Sequence, residues 1–291
     1  MKRKMLAILK SIAYGVITFI AQNVVTIIYS IILAVIMITN NPEILNSGDI
    51  AGYEGEIMEM YQGNFNLILL IASIFATLVL FLIYKIRKKK VKRELMFYKT
   101  DKSNILIALG LGISCLLLNT GALSLVYEMG FLKEHIDYTN DLLAPISQGN
   151  IFIAILSVGI VGPIAEEYLF RGVIFNTLKK GFSMKWAIII QGVFFGIYHF
   201  NLIQGIYATL LGIVFGYITY KTKSIWPAII VHIVNNTVSV LMSYYLSDVL
   251  ASIGVYIGFA VVGLIATVIL VALIKKRNHN YDEDLELESI V

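Results

Sequence analysis

Apolar residues in this chain come in long runs, and most polar positions are pushed to the ends of those runs. Eight runs predict membrane-crossing helices: 11–38, 65–84, 104–127, 151–178, 186–200, 202–220, 224–246 and 252–274. A helix rises about 1.5 Å per residue, so crossing a hydrocarbon core of about 30 Å takes roughly 20 apolar residues. The fifth run is short and abuts the sixth. The first exceeds the roughly 7–15 apolar residues of a cleaved signal peptide and lacks a small-residue cleavage site, so it reads as a retained helix. The expected fold class is all-α, a polytopic membrane protein with about eight transmembrane helices.

Charge orients these helices. Residues are 58% hydrophobic and 14% charged, against about 25% charged in soluble domains. Of the 23 lysines and arginines, 21 fall in five segments: 2–10, 85–102, 179–185, 221–223 and 275–277. Only Lys133 and Arg171 fall elsewhere. Successive basic segments are separated by an even number of predicted spans, which under the positive-inside rule puts both termini in the cytoplasm. The net charge of +4 is spread over short loops rather than gathered on a groove, so nucleic acid is not an expected partner; the lipid bilayer is. The basic loop 85–102 is expected to sit on the anionic cytoplasmic leaflet. Segment 39–64 holds Glu43, Asp49, Glu54, Glu56 and Glu59 without a lysine or arginine, and reads as a solvated outer loop. The single cysteine, Cys115, lies in an apolar run and reads as inert packing. The chain divides into an accessory N-terminal hairpin with its basic cytoplasmic loop (1–100), a core that carries the polar chemistry (101–250), and a last helix with an acidic cytoplasmic tail (251–291).

Ionisable groups at bilayer depth are costly, so each is a candidate for function. They are Glu166, Glu167, Arg171, His199 and His232. On a helix Glu167 and Arg171 are four apart and can pair, as a structural ion pair that locks the helix. Glu166 points about 100° away from Glu167 and has no such cation, which suits it to general acid–base work. Pro163, just upstream, removes a helix hydrogen bond and either opens the backbone beside the site or kinks it. Gln191, Phe195 and His199 follow one helical stripe, and Gly192 with Gly196 makes a small-xxx-small face for a second helix. His232, Asn235 and Asn236 fall within one turn and must face inward. At 1.5 Å per residue, Glu166 lies roughly 20 Å from Lys179 and His199 roughly 21 Å from Lys185. From Lys223, His232 lies roughly 13 Å and Asn236 roughly 20 Å. Three separate helices therefore bring polar groups to one layer.

Several intramembrane chemistries are missing. There is no His-Glu-x-x-His zinc helix, no Gly-x-Ser-Gly element in a span and no pair of membrane aspartates. What remains suits hydrolysis of an amide by an activated water. Glu166, helped by His199, would deprotonate the water, and His232 with Asn236 would stabilise the oxyanion. No cofactor is required in this reading. In the alternative, Glu166, His199 and His232 hold a divalent metal, most naturally zinc, with an open water position.

Glu166-Glu167-x-x-x-Arg171, Phe195-x-x-x-His199 and His232-x-x-x-Asn236, each placed in a predicted membrane helix, resemble the three ordered motifs of the CAAX-protease and bacteriocin-processing family. These are the type II CAAX prenyl endopeptidases and their bacterial relatives, often called Abi proteins. The resemblance covers about residues 100–250. It implies an intramembrane endopeptidase with Glu166 as the catalytic glutamate, and His199, His232 and Asn236 beside it. Glu167, Arg171, Phe195 and Asn235 support them, around a cavity opening toward the cytosol. The family is described both as glutamate proteases and as metalloproteases. Its bacterial members are associated with peptide maturation, bacteriocin immunity and regulation of surface or sensor proteins. The layout fits a bacterial plasma membrane and a peptide or membrane-protein substrate rather than a prenylated one. Two other functions are weighed: a non-catalytic regulator or scaffold partnering a membrane sensor kinase or transporter, against which the intact motif residues argue, and an ion-coupled transporter using the buried carboxylates.

Overall fold

The computed structural model describes residues 1–42, 53–246 and 252–278. Among them there is no strand, and the main helices are α1 Lys2–Asn40, α2 Glu54–Ile86, α3 Lys102–Glu128, α4 Lys133–Leu143, α5 Ile151–Leu178, α6 Met184–Ile197, α7 Leu202–Thr222, α8 Trp226–Tyr245 and α9 Ile253–Arg277. Seven of these are long and apolar enough to cross a membrane; α6, with 14 residues, is the shorter apolar helix. In lipid every backbone N–H and C=O needs an internal partner, and a helix supplies one. The helix starts follow from the sequence. Asp101, Asn150 and Asn201 each take backbone N–H groups of the first turn onto a side-chain oxygen. The Ser103 N–H at 2.7 Å holds the Asp101 carboxyl below its usual range.

The bundle has two unlike ends. Lysine-bearing ends of different helices are tied together. Asn104 and Asn278 exchange amide hydrogen bonds, Ser224 Oγ donates to the Tyr98 carbonyl at 2.6 Å, and Lys180 reaches Glu94 at 3.3 Å. At the opposite end, α4 and the turn Pro145–Gln148 lie across the bundle. Thr139 Oγ1 donates to Asn201 Oδ1 at 3.0 Å, Asn66 Nδ2 to the Ile146 carbonyl at 2.9 Å, and the Tyr244 hydroxyl reaches the carbonyls of Ile146 and Gly149.

Two boundaries differ from expectation. Helix α2 starts well inside the segment read as an outer loop, so Glu54, Glu56 and Glu59 lie on it, while α1 ends at Asn40. Glu43, Asp49 and the acidic tail 281–291 lie outside the described residues. The fifth run is not a full span. At about 1.5 Å per residue α6 is roughly 21 Å long, and the chain turns back through residues 198–201, with Phe200 at φ 51°. His199 therefore sits just past a helix end, not inside a helix. The small-residue face is used as its spacing implied: a Cβ at Gly192 or Gly196 would run into Ile213, Thr209 or Gly205 of α7.

Candidate active site

The fourth membrane helix is irregular where the chemistry lies. Within α5, π-helical turns at Ile155–Val161 and Tyr168–Ile174 flank a short α-helical stretch, Gly162–Glu167. Such π insertions are frequent at functional sites. The local cause is Pro163. Lacking an N–H, it returns no hydrogen bond to Val158 in an i, i−5 ladder or to Gly159 in an i, i−4 one. Both carbonyls instead receive donors from α8: Asn236 Nδ2 at 3.2 Å from the Val158 oxygen and Thr237 Oγ1 at 3.2 Å from the Gly159 oxygen. The proline opens the backbone, and the second half of the His232 motif closes it. Asn235 Nδ2 in turn donates to Asn236 Oδ1 at 3.0 Å, fixing which way that amide points.

The two glutamates face different surroundings. Glu167 and Arg171 are wholly buried and form the expected ion pair at 2.9 Å. The Arg171 guanidinium lies between the rings of Phe195 and Phe215, 4.5 and 5.1 Å from their centroids. It also donates to the Gly212 carbonyl at 3.3 Å, an oxygen shared with Gln191 Nε2 at 2.6 Å. Charge-assisted hydrogen bonds and stacked rings together offset the cost of burying a guanidinium.

His232 joins the carboxylates. Its Nδ1 lies 2.8 Å from Glu167 Oε1, which can only accept, so Nδ1 carries the hydrogen. Its Nε2 lies 3.6 Å from Glu166 Oε2. The Glu166 side chain is 30% exposed, against 5% for His232. The Glu167 link was not foreseen: i, i+4 spacing revealed the arginine partner, but nothing in sequence brings residue 232 against residue 167.

Glu166, His199, His232, Asn235 and Asn236 all line one cavity of about 360 Å³. The Phe195 ring meets both imidazoles nearly at right angles, with centroids 4.9 Å from His199 and 5.8 Å from His232. Its carbonyl, left over at the end of α6, takes His199 Nδ1 at 2.8 Å, so the neutral ring keeps its lone pair on Nε2. Among the described residues no three His, Cys, Asp or Glu side chains gather as a metal site would need.

Sequence reading attended to charged groups and passed over uncharged polar residues in the same cavity wall: Asn119, Thr120, Gln204, Tyr207, Ser239 and Ser243. Polar residues inside apolar runs were the available signal. It also missed the N-terminal hairpin. On the other flank of Glu166, a gap of about 10 Å³ is lined by Thr18 and Gln22 of α1, Ser73 and Thr77 of α2, and Tyr198. The Tyr198 hydroxyl donates to Gln22 Oε1 at 2.7 Å.

Comparison with known proteins follows this geometry. Residues 148–238, which contain every candidate above from Glu166 to Asn236, match the family model described as type II CAAX prenyl endopeptidase Rce1-like. The Bacillus subtilis protein named "Putative membrane peptidase YdiL" is 34% identical over 116 residues, which are 40% of this chain and 46% of that protein. No solved structure matches the chain.

Proposed function

We propose that this chain is an intramembrane endopeptidase working by glutamate-activated water, a reading supported by the match of residues 148–238 to the type II CAAX prenyl endopeptidase Rce1-like model. The observation that carries this reading is one imidazole held between two unlike carboxylates. Glu167, buried and ion-paired, fixes His232 Nδ1; Glu166, open to the cavity, lies against Nε2.

In this mechanism a water in the cavity gives a proton to the Glu166 carboxylate, and the hydroxide forms the new C–O bond at the scissile carbonyl. The carbonyl π electrons move onto oxygen. His232, protonated on both nitrogens, donates from Nδ1 to Glu167 and from Nε2 to that oxyanion, and Glu167 balances the imidazolium. Asn236 spends one amide hydrogen on the Val158 carbonyl, and its second is the other oxyanion donor. Collapse of the intermediate breaks the C–N bond, and the proton held by Glu166, passed directly or through His199, goes to the leaving amine. Phe195 and Arg171 position the imidazoles, and Asn235 orients Asn236. No step needs a metal.

The test is purified protein in detergent with a library of quenched peptides, with and without chelator. Cleavage that survives chelation and falls roughly 10²–10⁴-fold in Glu166→Gln is expected. Loss of cleavage on chelation, restored by zinc, would replace the water mechanism with the metal one. Equal, background-level turnover by both proteins would favour the non-catalytic regulator.

A further inference from the structure

The cavity is not centred between the two ends of the bundle. On α3 its lining begins at Leu116 and runs to Leu123, and on α7 it spans Gln204 to Leu211; both stretches lie in the half remote from the lysine-bearing end. On α8 the lining starts at His232 and continues to Ser243, away from Trp226. Leu143 and Ile146, from the segment that crosses the lysine-poor end, close the far wall. Glu166 and His232 thus form the floor of a hollow that extends toward the lysine-poor face, whose one lysine in the described residues is Lys133.

That face has a roof of distinct character. Helix α4 turns Ile136 and Thr139 into the protein, while its Tyr138 and Leu142, and Phe131 just before it, are 63, 45 and 65% exposed. A short amphipathic helix with exposed aromatic residues at a bundle end is built to lie in a membrane interface. Its hydrogen bonds to Asn201, and those of the following turn to Asn66 and Tyr244, hold it across the hollow.

The opposite face holds the basic segments, and the positive-inside rule assigns it to the cytoplasm. An orientation with cytoplasmic termini and a cavity opening to the cytosol, the pair of expectations drawn from sequence, cannot both hold for this molecule. Charge distribution is the physical determinant of insertion, so the direction of opening is the expectation that gives way.

We infer that the hollow above Glu166, which lies in the extracytoplasmic half of the membrane, is entered from that side past α4 and the turn after it, and receives unlipidated polypeptide there, an exported peptide or the outer end of a membrane segment. This rests on the endopeptidase reading for its chemistry but not for its sidedness. The walls argue for peptide rather than a lipid chain. Asn119, Thr120, Gln204, Asn235, Ser239 and Ser243 offer amide and hydroxyl partners to an extended backbone, and an acyl or prenyl chain would leave those groups unpaired at a cost of about 1–3 kcal/mol each.

Thiol labelling tests the sidedness. In a Cys115→Ala background, Ser239→Cys places a thiol in the hollow and Lys92→Cys a reference on the lysine-rich face. A membrane-impermeant maleimide is expected to label Ser239→Cys in intact cells and Lys92→Cys only after lysis. A Ser239 thiol that reacts only after lysis, or from neither side, overturns the inference. The second measurement needs no cysteine variant: right-side-out and inverted membrane vesicles are given a quenched peptide that cannot cross the bilayer. Cleavage above the Glu166→Gln background in right-side-out vesicles supports the inference. Cleavage in inverted vesicles alone, or only after detergent is added, overturns it. Absence of cleavage even in detergent sinks the endopeptidase reading instead and leaves the labelling result standing.

Discussion

Glu166 and Glu167 are adjacent in the chain, yet they belong to two different regions of the site. One is a dry knot: Glu167, Arg171 and the Nδ1 edge of His232, sealed by Phe195, Phe215 and the shared Gly212 carbonyl. The other is a roofed hollow where Glu166 meets His232 Nε2 among amides and hydroxyls. The knot pairs its charges with one another, while the hollow leaves a carboxylate open to the cavity. A single histidine edge separates them, so the knot can orient the chemistry without taking part in bond making. The difference teaches that in a low-dielectric site the buried charges are those already partnered, and the charge free for chemistry in the proposed reaction is the one with access to the cavity.

Cutting the knot should have the largest effect. Arg171→Met leaves the Glu167 carboxylate buried without its cation, and truncating one partner of a buried ion pair costs about 3–5 kcal/mol. The expected result is a sharply lower unfolding midpoint in detergent micelles and loss of cleavage with it. The double variant Glu167→Gln/Arg171→Met should recover much of the stability but not the activity, because His232 loses its charged anchor. An Arg171→Met protein that melts like the parent would show that the ion pair does not hold this region together.

Emptying the hollow of its carboxylate should separate fold from chemistry. Glu166→Gln keeps the shape and removes the base. Peptide cleavage should fall roughly 10²–10⁴-fold, while stability stays within about 0.5 kcal/mol of the parent, as for substitutions that break no packing or pairing. If stability fell as far as in Arg171→Met, the two carboxylates would belong to one structural unit, and the contrast drawn here would collapse.

A smaller effect is expected where α6 packs on α7. Gly196 faces Gly205 and Thr209 so closely that an added Cβ would collide with both. Gly196→Ala should destabilise by about 1–3 kcal/mol, as overpacking does. His199 lies three residues on, so cleavage should drop more than the loss of folded protein alone explains. Cleavage per folded molecule equal to the parent's would uncouple the helix seam from His199.

How much of this was legible in sequence depends on the range of each interaction. The helical class, all seven helices long enough to cross a membrane and the shorter apolar one followed from runs of apolar residues, which act within a segment. The Glu167–Arg171 pair and the glycine face of α6 followed from i, i+4 geometry. What could not be read joins segments far apart in the chain: the Glu167 hold on His232, the Asn236 and Thr237 replacements for the hydrogen bonds lost at Pro163, and the shielding of Arg171 by Phe215. The fifth run, 186–200, already short in sequence, is a 14-residue helix and its turn, which carry the same hydropathy as a shortened crossing. Only the left-handed turn at Phe200 and the Asn201 cap mark where the chain reverses.

The smallest expected effect concerns how far the hollow's influence reaches into the N-terminal hairpin. Tyr198 stacks edge-on against Phe170 at 5.4 Å and donates its hydroxyl to Gln22, while the next residue is His199. Tyr198→Phe deletes the hydroxyl and keeps the ring. Loss of one hydrogen bond costs about 0.5–1.5 kcal/mol, a modest fall in the unfolding midpoint. Because α1 then loses a polar tie to the turn that carries His199, cleavage should also decline, by less than tenfold if the loss stays within roughly 1.4 kcal/mol of barrier. Gln22→Leu removes the same bond from the hairpin side. If the bond acts as one unit, the double variant should be no worse than either single change, whereas additive losses would mean that Gln22 and Tyr198 serve separate purposes.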